Sequence, residues 1–172
     1  MFTVVVDASV LIHLARIGRF YLLKNVYSQV CITSSVFAEV VEKGWGLAGS
    51  IETERAVREG WIKVLDVVDK WKVREMAVRH GVHLTNTETV QLAREAKASI
   101  LLADEEEVRE LAAGFGLEVR GCLGLLAEAV RRDLISVKEA KQDAKRLVEE
   151  GYRISEEVLK EFYTMLGSEE GN

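Results

Sequence analysis

Hydrophobic positions along this chain follow two rhythms that take turns. Val4, Val5 and Val6 are β-branched with no polar position among them, the pattern of a short strand buried on both faces. Directly after Asp7 the apolar spacing of VLIHLA becomes helical and runs to Gly18. Four further apolar runs read as strands, at residues 30–32, 61–67, 99–103 and 117–120. Helical spacing fills the intervals: residues 20–26, the VFAEVVEK block after the capping oxygens of Thr33, Ser34 and Ser35, then 50–59, 70–80 before Gly81, 85–96, and the EEEVRELAAGFG block. Three more helices, at 123–132, 136–149 and 154–166, end the chain. Strands alternating with helices predict an α/β, three-layer fold: a central, mostly parallel sheet of about five strands flanked by helices on both faces.

Length and composition narrow this picture. With 172 residues and 48% hydrophobic content, the chain can bury one substantial core. We expect a sheet-bearing domain over residues 1–135, a C-terminal helical extension over 136–167 packed on the same domain, and a frayed tail at 168–172. No stretch approaches the ~20 apolar residues of a membrane span, and the first twenty carry Asp7, His13 and two arginines rather than a signal-peptide pattern. The expectation is a soluble, cytoplasmic protein with no membrane partner. Cys31 and Cys122 stand apart without metal-ligand spacing and read as reduced structural thiols. The net charge of −5 excludes a global basic footprint, so any nucleic-acid contact must be a local patch.

Two strands end on an aspartate followed by a helix, VVV-Asp7 and ILLA-Asp104. In an open α/β sheet, ligands bind beyond the carboxyl ends of the strands, so both acids belong to the functional edge. Simpler readings exist for each acid. Asp is a good N-cap, and Asp104 with Glu107, like Thr85 with Glu88, has capping-box spacing. Glu39 with Lys43 is an ordinary i,i+4 pair, and Asn86 suits a cap or turn. His13, His80 and His83 read as structural, and Trp45 and Trp61 as packing residues. Arg16, Arg19 and Arg120 are placed to track phosphates near such a site, with a solvated helical face as the alternative.

The blocks VVVDASVLIHLARIGRFYLL, VCITSSVFAEVVEKG, GWIKV, ETVQLAREAKASILLAD and GLEVRGCLGLLAEAVRRDLI, in that order, resemble the PIN domain family, in particular a prokaryotic branch with a C-terminal helical pair. The resemblance spans residues 4–166. It implies a metal-dependent endoribonuclease using one or two Mg²⁺ or Mn²⁺ ions and leaving 5′-phosphate and 3′-hydroxyl ends. It places direct ligands at Asp7 and Asp104 and a ligand or water-mediated contact at Glu88. Glu39 would position the attacking water, and Ser9 would orient Asp7. Where the family usually carries a third acid, this chain has Asn86, which supports an alternative: a catalytically weak PIN-fold module that binds RNA or protein. The implied partners are RNA, an antitoxin protein if the role is that of a toxin, and a second copy in a homodimer. A receiver-like domain is the remaining rival, but the phosphoacceptor Asp and late Lys it requires are not in position. The physical reason for an acidic quartet is general, since carboxylates this close repel unless a proton or a divalent cation joins them.

Overall fold

The structure, a computed structural model, describes residues 2–167; the tail expected to fray at 168–172 lies outside the described residues. Five parallel strands form one sheet: β1 (Val4–Val6), β2 (Val30–Thr33), β3 (Ile62–Leu65), β4 (Ile100–Leu102) and β5 (Val119–Arg120), in the spatial order β3-β2-β1-β4-β5. The first strand is central, with β2 on one side and β4 on the other. Chain order therefore reverses direction across the sheet at β1, and the crevice for a ligand opens beyond its carboxyl end. None of the described helices is long and apolar enough to cross a membrane.

Helices cover both faces. Val4, Val6, Ile100 and Leu102 point into one core with α1 (Ala8–Arg16), α2 (Leu22–Tyr27) and α8 (Cys122–Arg131). Val5, Cys31, Leu101 and Ala103 point into the opposite core with α5 (Lys70–His80), α6 (Leu84–Glu95) and α7 (Glu106–Gly114). This division follows from the two-residue period of a strand. The last two helices, α9 (Val137–Glu149) and α10 (Glu156–Gly167), add Ala140, Ala144, Leu147, Phe162 and Leu166 to the first core. The C-terminal segment is thus continuous with the sheet's own packing.

Several boundaries differ from the sequence pattern, for local reasons. The strand expected over 61–67 stops at Leu65, because Asp66 accepts from the Ser34 hydroxyl and the N–H groups of Val68 and Asp69 donate to Glu95 instead of a neighbouring strand. The last strand begins at Val119 and not at Leu117, whose N–H still donates to Ala112 at the end of α7. The VFAEVVEK helix divides into α3 (Ser34–Phe37) and a π-helical stretch, Ala38–Lys43, before α4 (Ser50–Glu59). A Cβ at Gly44 would stand 2.4 Å from the Val40 carbonyl, so glycine closes this widened turn. Such π-turns are rare and cluster at functional sites.

Arg19 joins the two ends of the fold. Its Nε donates to Asp143 Oδ2 at 2.7 Å and its Nη2 to Glu139 at 3.3 Å, holding α9 against the loop after α1. Asp143 is 3% exposed, so removing Arg19 strands a buried carboxylate. Arg19→Met is expected to cost about 3 kcal/mol of unfolding free energy in urea, and Arg19→Met with Asp143→Leu to recover most of it. Equal losses in the single and double variants would refute the pairing's role.

Candidate acidic and mixed-ligand sites at the sheet edge

Asp7 ends β1 and caps α1. Its Oδ1 accepts from the Ala8 N–H at 2.8 Å and its Oδ2 from the Ser9 hydroxyl at 3.0 Å. The residue is 1% exposed. Burial drives its carboxyl pKa upward and the negative charge of Glu105 adds to this. The Ser9 and Ala8 hydrogen bonds oppose the rise, Glu39 contributes a further increment, and the value is pushed up to about 7 from 3.8.

The partner acids come from the exits of the two neighbouring strands. Glu39 opens the π-helical stretch after β2 and α3, and Glu105 occupies the N-cap position of α7 after β4. Asn86, in the first turn of α6, donates its amide to Glu105 Oε2 at 3.0 Å and to Glu107 Oε2 at 2.7 Å. Glu88 accepts from the Ser35 hydroxyl. Among the described residues, none of Asp7, Glu39, Glu88, Glu105 and Glu107 makes an ion pair. The capping boxes read from spacing are absent here: the His83 ring accepts from Thr85 N–H at α6, and Asp104 lies before the cap of α7.

Asp104 stands on the other side of the strand. His13 Nδ1 lies 2.8 Å from its Oδ2 and the Cys122 thiol donates to the same oxygen at 2.9 Å. The Cys122 N–H and the Tyr152 hydroxyl donate to Oδ1 at 2.8 and 3.1 Å. Burial would raise this carboxyl, but the hydrogen bonds from His13 and Cys122 outweigh it and hold the pKa below the ordinary value. Burial and the Asp104 charge push both the Cys122 thiol and the Tyr152 phenol upward, which keeps them protonated as donors. A Cβ at Gly121 would stand 2.6 Å from Asp104 Oδ1, so only glycine admits the carboxylate to the start of α8. Both oxygens of Asp104 are therefore spent inside the protein. Cys122, read as standing apart, and His13, read as structural, meet at Asp104, where the three bring ligand atoms within 4.8 Å of one another.

Strand register explains the split. Val5 lies beside Leu101 and Val6 beside Leu102, and the Asp7 N–H donates to the Leu102 carbonyl at 2.9 Å. On β4 the face shared with Val5 and Asp7 carries Leu101, Ala103 and then Glu105, whereas Asp104 continues the face of Ile100 and Leu102 toward α1 and α8. The two-residue period of ILLADE, applied to the register with VVVD, was the signal that could have found Glu105.

The remaining expected contacts are engaged within the protein. Arg16 donates to the Glu150 carbonyl at 3.2 Å, Arg19 clasps Asp143, and Arg120 pairs with Glu118 at 2.8 Å. Arg120 also lines a groove of about 730 Å³ with Arg109, Tyr152 and Phe162, on the Asp104 side. Trp61 packs edge-on against Phe20, while Trp45 is exposed.

Comparison with known proteins agrees with this architecture. A search of curated proteins finds no match. The crystal structure of PAE2754 from Pyrobaculum aerophilum is similar in fold, with a TM-score of 0.57 at 18% identity over 75% of this chain and 98% of that one. A family model described as a PIN domain matches residues 3–168. PIN domains are generally metal-dependent nucleases, and by that match this chain belongs to the PIN domain family.

Proposed function

We propose that the protein is a metal-dependent endoribonuclease that uses Mg²⁺ or Mn²⁺ to hydrolyse RNA, leaving 5′-phosphate and 3′-hydroxyl ends. The observation that carries this reading is Asp7: a buried carboxyl, held near neutrality by burial and by the charges of Glu105 and Glu39, that forms no ion pair with a basic side chain among the described residues. The donor chemistry suits a hard divalent ion, since every ligand atom on offer is oxygen, while no three of these acids bring oxygens within 4.8 Å of one another among the described residues. Asp7 and Glu105 are the ligands in this proposal, and Glu39 is the group that positions the attacking water. Glu105 takes the place first expected for Asp104, whose oxygens already serve His13, Cys122 and Tyr152. When bound, the ion offsets the repulsion among the acids and supplies the activation of water for attack on phosphorus.

The chain's own residues prepare that site. Ser9 and the Ala8 N–H orient the Asp7 carboxylate. Asn86 holds Glu105 and Glu107 together through its amide, a task an aspartate could perform only through a shared cation. Glu88, tied to Ser35, stands as an outer acid two residues after Asn86 in α6. A non-cleaving RNA- or protein-binding PIN module remains the second reading on the strength of Asn86, and failure to bind Mn²⁺ would select it. An antitoxin partner and a homodimer belong to the same proposal.

Three outcomes are expected. Asp7→Asn retains the helix cap and lowers Mn²⁺-dependent RNA cleavage by about 100-fold or more. In metal-free protein the same change stabilises. Because the folded pKa lies near 7 and the unfolded one near 3.8, folding retains a proton between these values, and stability falls as pH rises through them. The variant's melting temperature should therefore exceed wild type by several degrees at pH 8 and by little at pH 4; the opposite order would contradict the buried-acid account. Second, Glu105→Gln is expected to abolish calorimetric Mn²⁺ binding. Asp104→Asn should keep that binding but lose about 2 kcal/mol of stability. The reverse pattern would return the ligand role to Asp104. Third, Asn86→Asp should tighten Mn²⁺ several-fold while lowering the metal-free melting temperature, and unchanged affinity would remove position 86 from the site.

A further inference from the structure

Outside the oxygen cluster, one group combines three different ligand atoms. His13 Nδ1, Asp104 Oδ2 and Cys122 Sγ come from α1, the end of β4 and the first residue of α8, and all lie within 4.8 Å of one another. We propose that these three side chains form a second metal site, for a thiophilic divalent ion of the Zn²⁺ class and distinct from the Mg²⁺ or Mn²⁺ site.

Donor chemistry separates the two. Imidazole and thiolate select Zn²⁺ and Co²⁺, whereas carboxylates and amides alone suit harder ions. The geometry is close to what such an ion needs. Ligands at about 2.0–2.3 Å from a tetrahedral zinc stand roughly 3.3–3.7 Å from each other. Here Nδ1 and Oδ2 are 2.8 Å apart and Sγ and Oδ2 are 2.9 Å apart, so each donor withdraws by about half an ångström on the way to that arrangement. The carboxylate stays aimed meanwhile, because its other oxygen is held by the Cys122 N–H at 2.8 Å and the Tyr152 hydroxyl at 3.1 Å. Partners of this outer kind fix the orientation of metal ligands. The His13 ring is further steadied edge-on against Tyr152 at 5.1 Å. Its side chain is 19% exposed, which opens the site to solvent and to a water as fourth ligand. On coordination the thiol proton passes to solvent, and the proton that His13 gave to Asp104 leaves Nδ1, so that the neutral ring carries its one proton on Nε2.

An ion so placed clasps the helix after β1, the end of β4 and the helix after β5. The test uses the full chain stripped of metal and titrated with Co²⁺, then with Zn²⁺ in competition. The expected result is a saturable sulfur-to-cobalt charge-transfer absorption at one equivalent, displaced by Zn²⁺, together with a higher melting temperature. Cys122→Ser, whose hydroxyl can still donate to Asp104, should lose the band and weaken Zn²⁺ by more than about 100-fold, beyond what an outer partner costs. Cys31→Ser, Asp7→Asn and Glu105→Gln should keep the band, so that failure of the nuclease reading would leave this site standing and the reverse. Absence of the band in folded wild type, its persistence in Cys122→Ser, or its loss in Cys31→Ser would overturn the proposal.

Discussion

The molecule is arranged around one carboxylate that solvent barely reaches. Asp7 sits at the exit of the central strand, where Val4, Val5 and Val6 have already been committed to the interior, and its backbone N–H is still tied to β4. Keeping it there ionised and unneutralised is expensive: a rise from 3.8 to about 7 corresponds to about 4 kcal/mol between its two protonation states. The cap of α1 and the Ser9 hydroxyl offset part of the cost, but Glu39 and Glu105 add to it. A fold selected for stability alone would place an Asn or Ser at that cap, since either serves as well. An acid placed among acids is a structural argument for a cation.

The two neighbouring strands then assign roles by parity. Position 105 shares a face with Asp7 and stays exposed, bound to a neutral amide; position 104 turns to the opposite core and meets four donors. One acid stands exposed where a ligand can reach it, and its neighbour is fully satisfied within the protein. Gly121 belongs to the second arrangement, since any side chain there would drive the Asp104 carboxylate out of its cradle.

Much of this was legible in the chain. The alternation of VVV, VCI, WIKV and SILLA with helical blocks gave the parallel sheet, and the coincidence of strand ends with acids located the working edge. Asp7 could be singled out because a carboxylate between two apolar runs needs a reason. The neighbouring acids were harder. Choosing between Asp104 and Glu105 requires the register of β4 on β1, a relation across roughly a hundred residues that no local spacing encodes. The contact of His13 with Asp104 spans 91 positions, and that of Cys122 spans 18 across a helix and a strand. The unexpected caps have the same origin: His83 and the Ser35 hydroxyl took partners that spacing alone had promised to Thr85 and to the first turn of α6.

Ser9 is the seam between the two sites. Its hydroxyl donates to Asp7 Oδ2 at 3.0 Å and accepts from the Asp104 N–H at 3.3 Å, so one side chain touches the acid of the oxygen cluster and the backbone of the mixed-ligand cluster. A hydroxyl has one proton, and here it is spent on Asp7 while a lone pair anchors the start of the loop carrying Glu105. Movement of Asp104 toward an ion on its own side would pull that N–H, and with it the registration of Glu105 against Asp7. Two ions of different hardness would thus meet donor sets that each favour one of them, while sharing a mechanical link of a single hydroxyl. Affinity order among divalent ions cannot achieve this separation by itself, because a stronger-binding ion would otherwise fill both. In that proposal the sulfur and imidazole on one face would draw the thiophilic ion to their own side and so leave the oxygen cluster to the harder one.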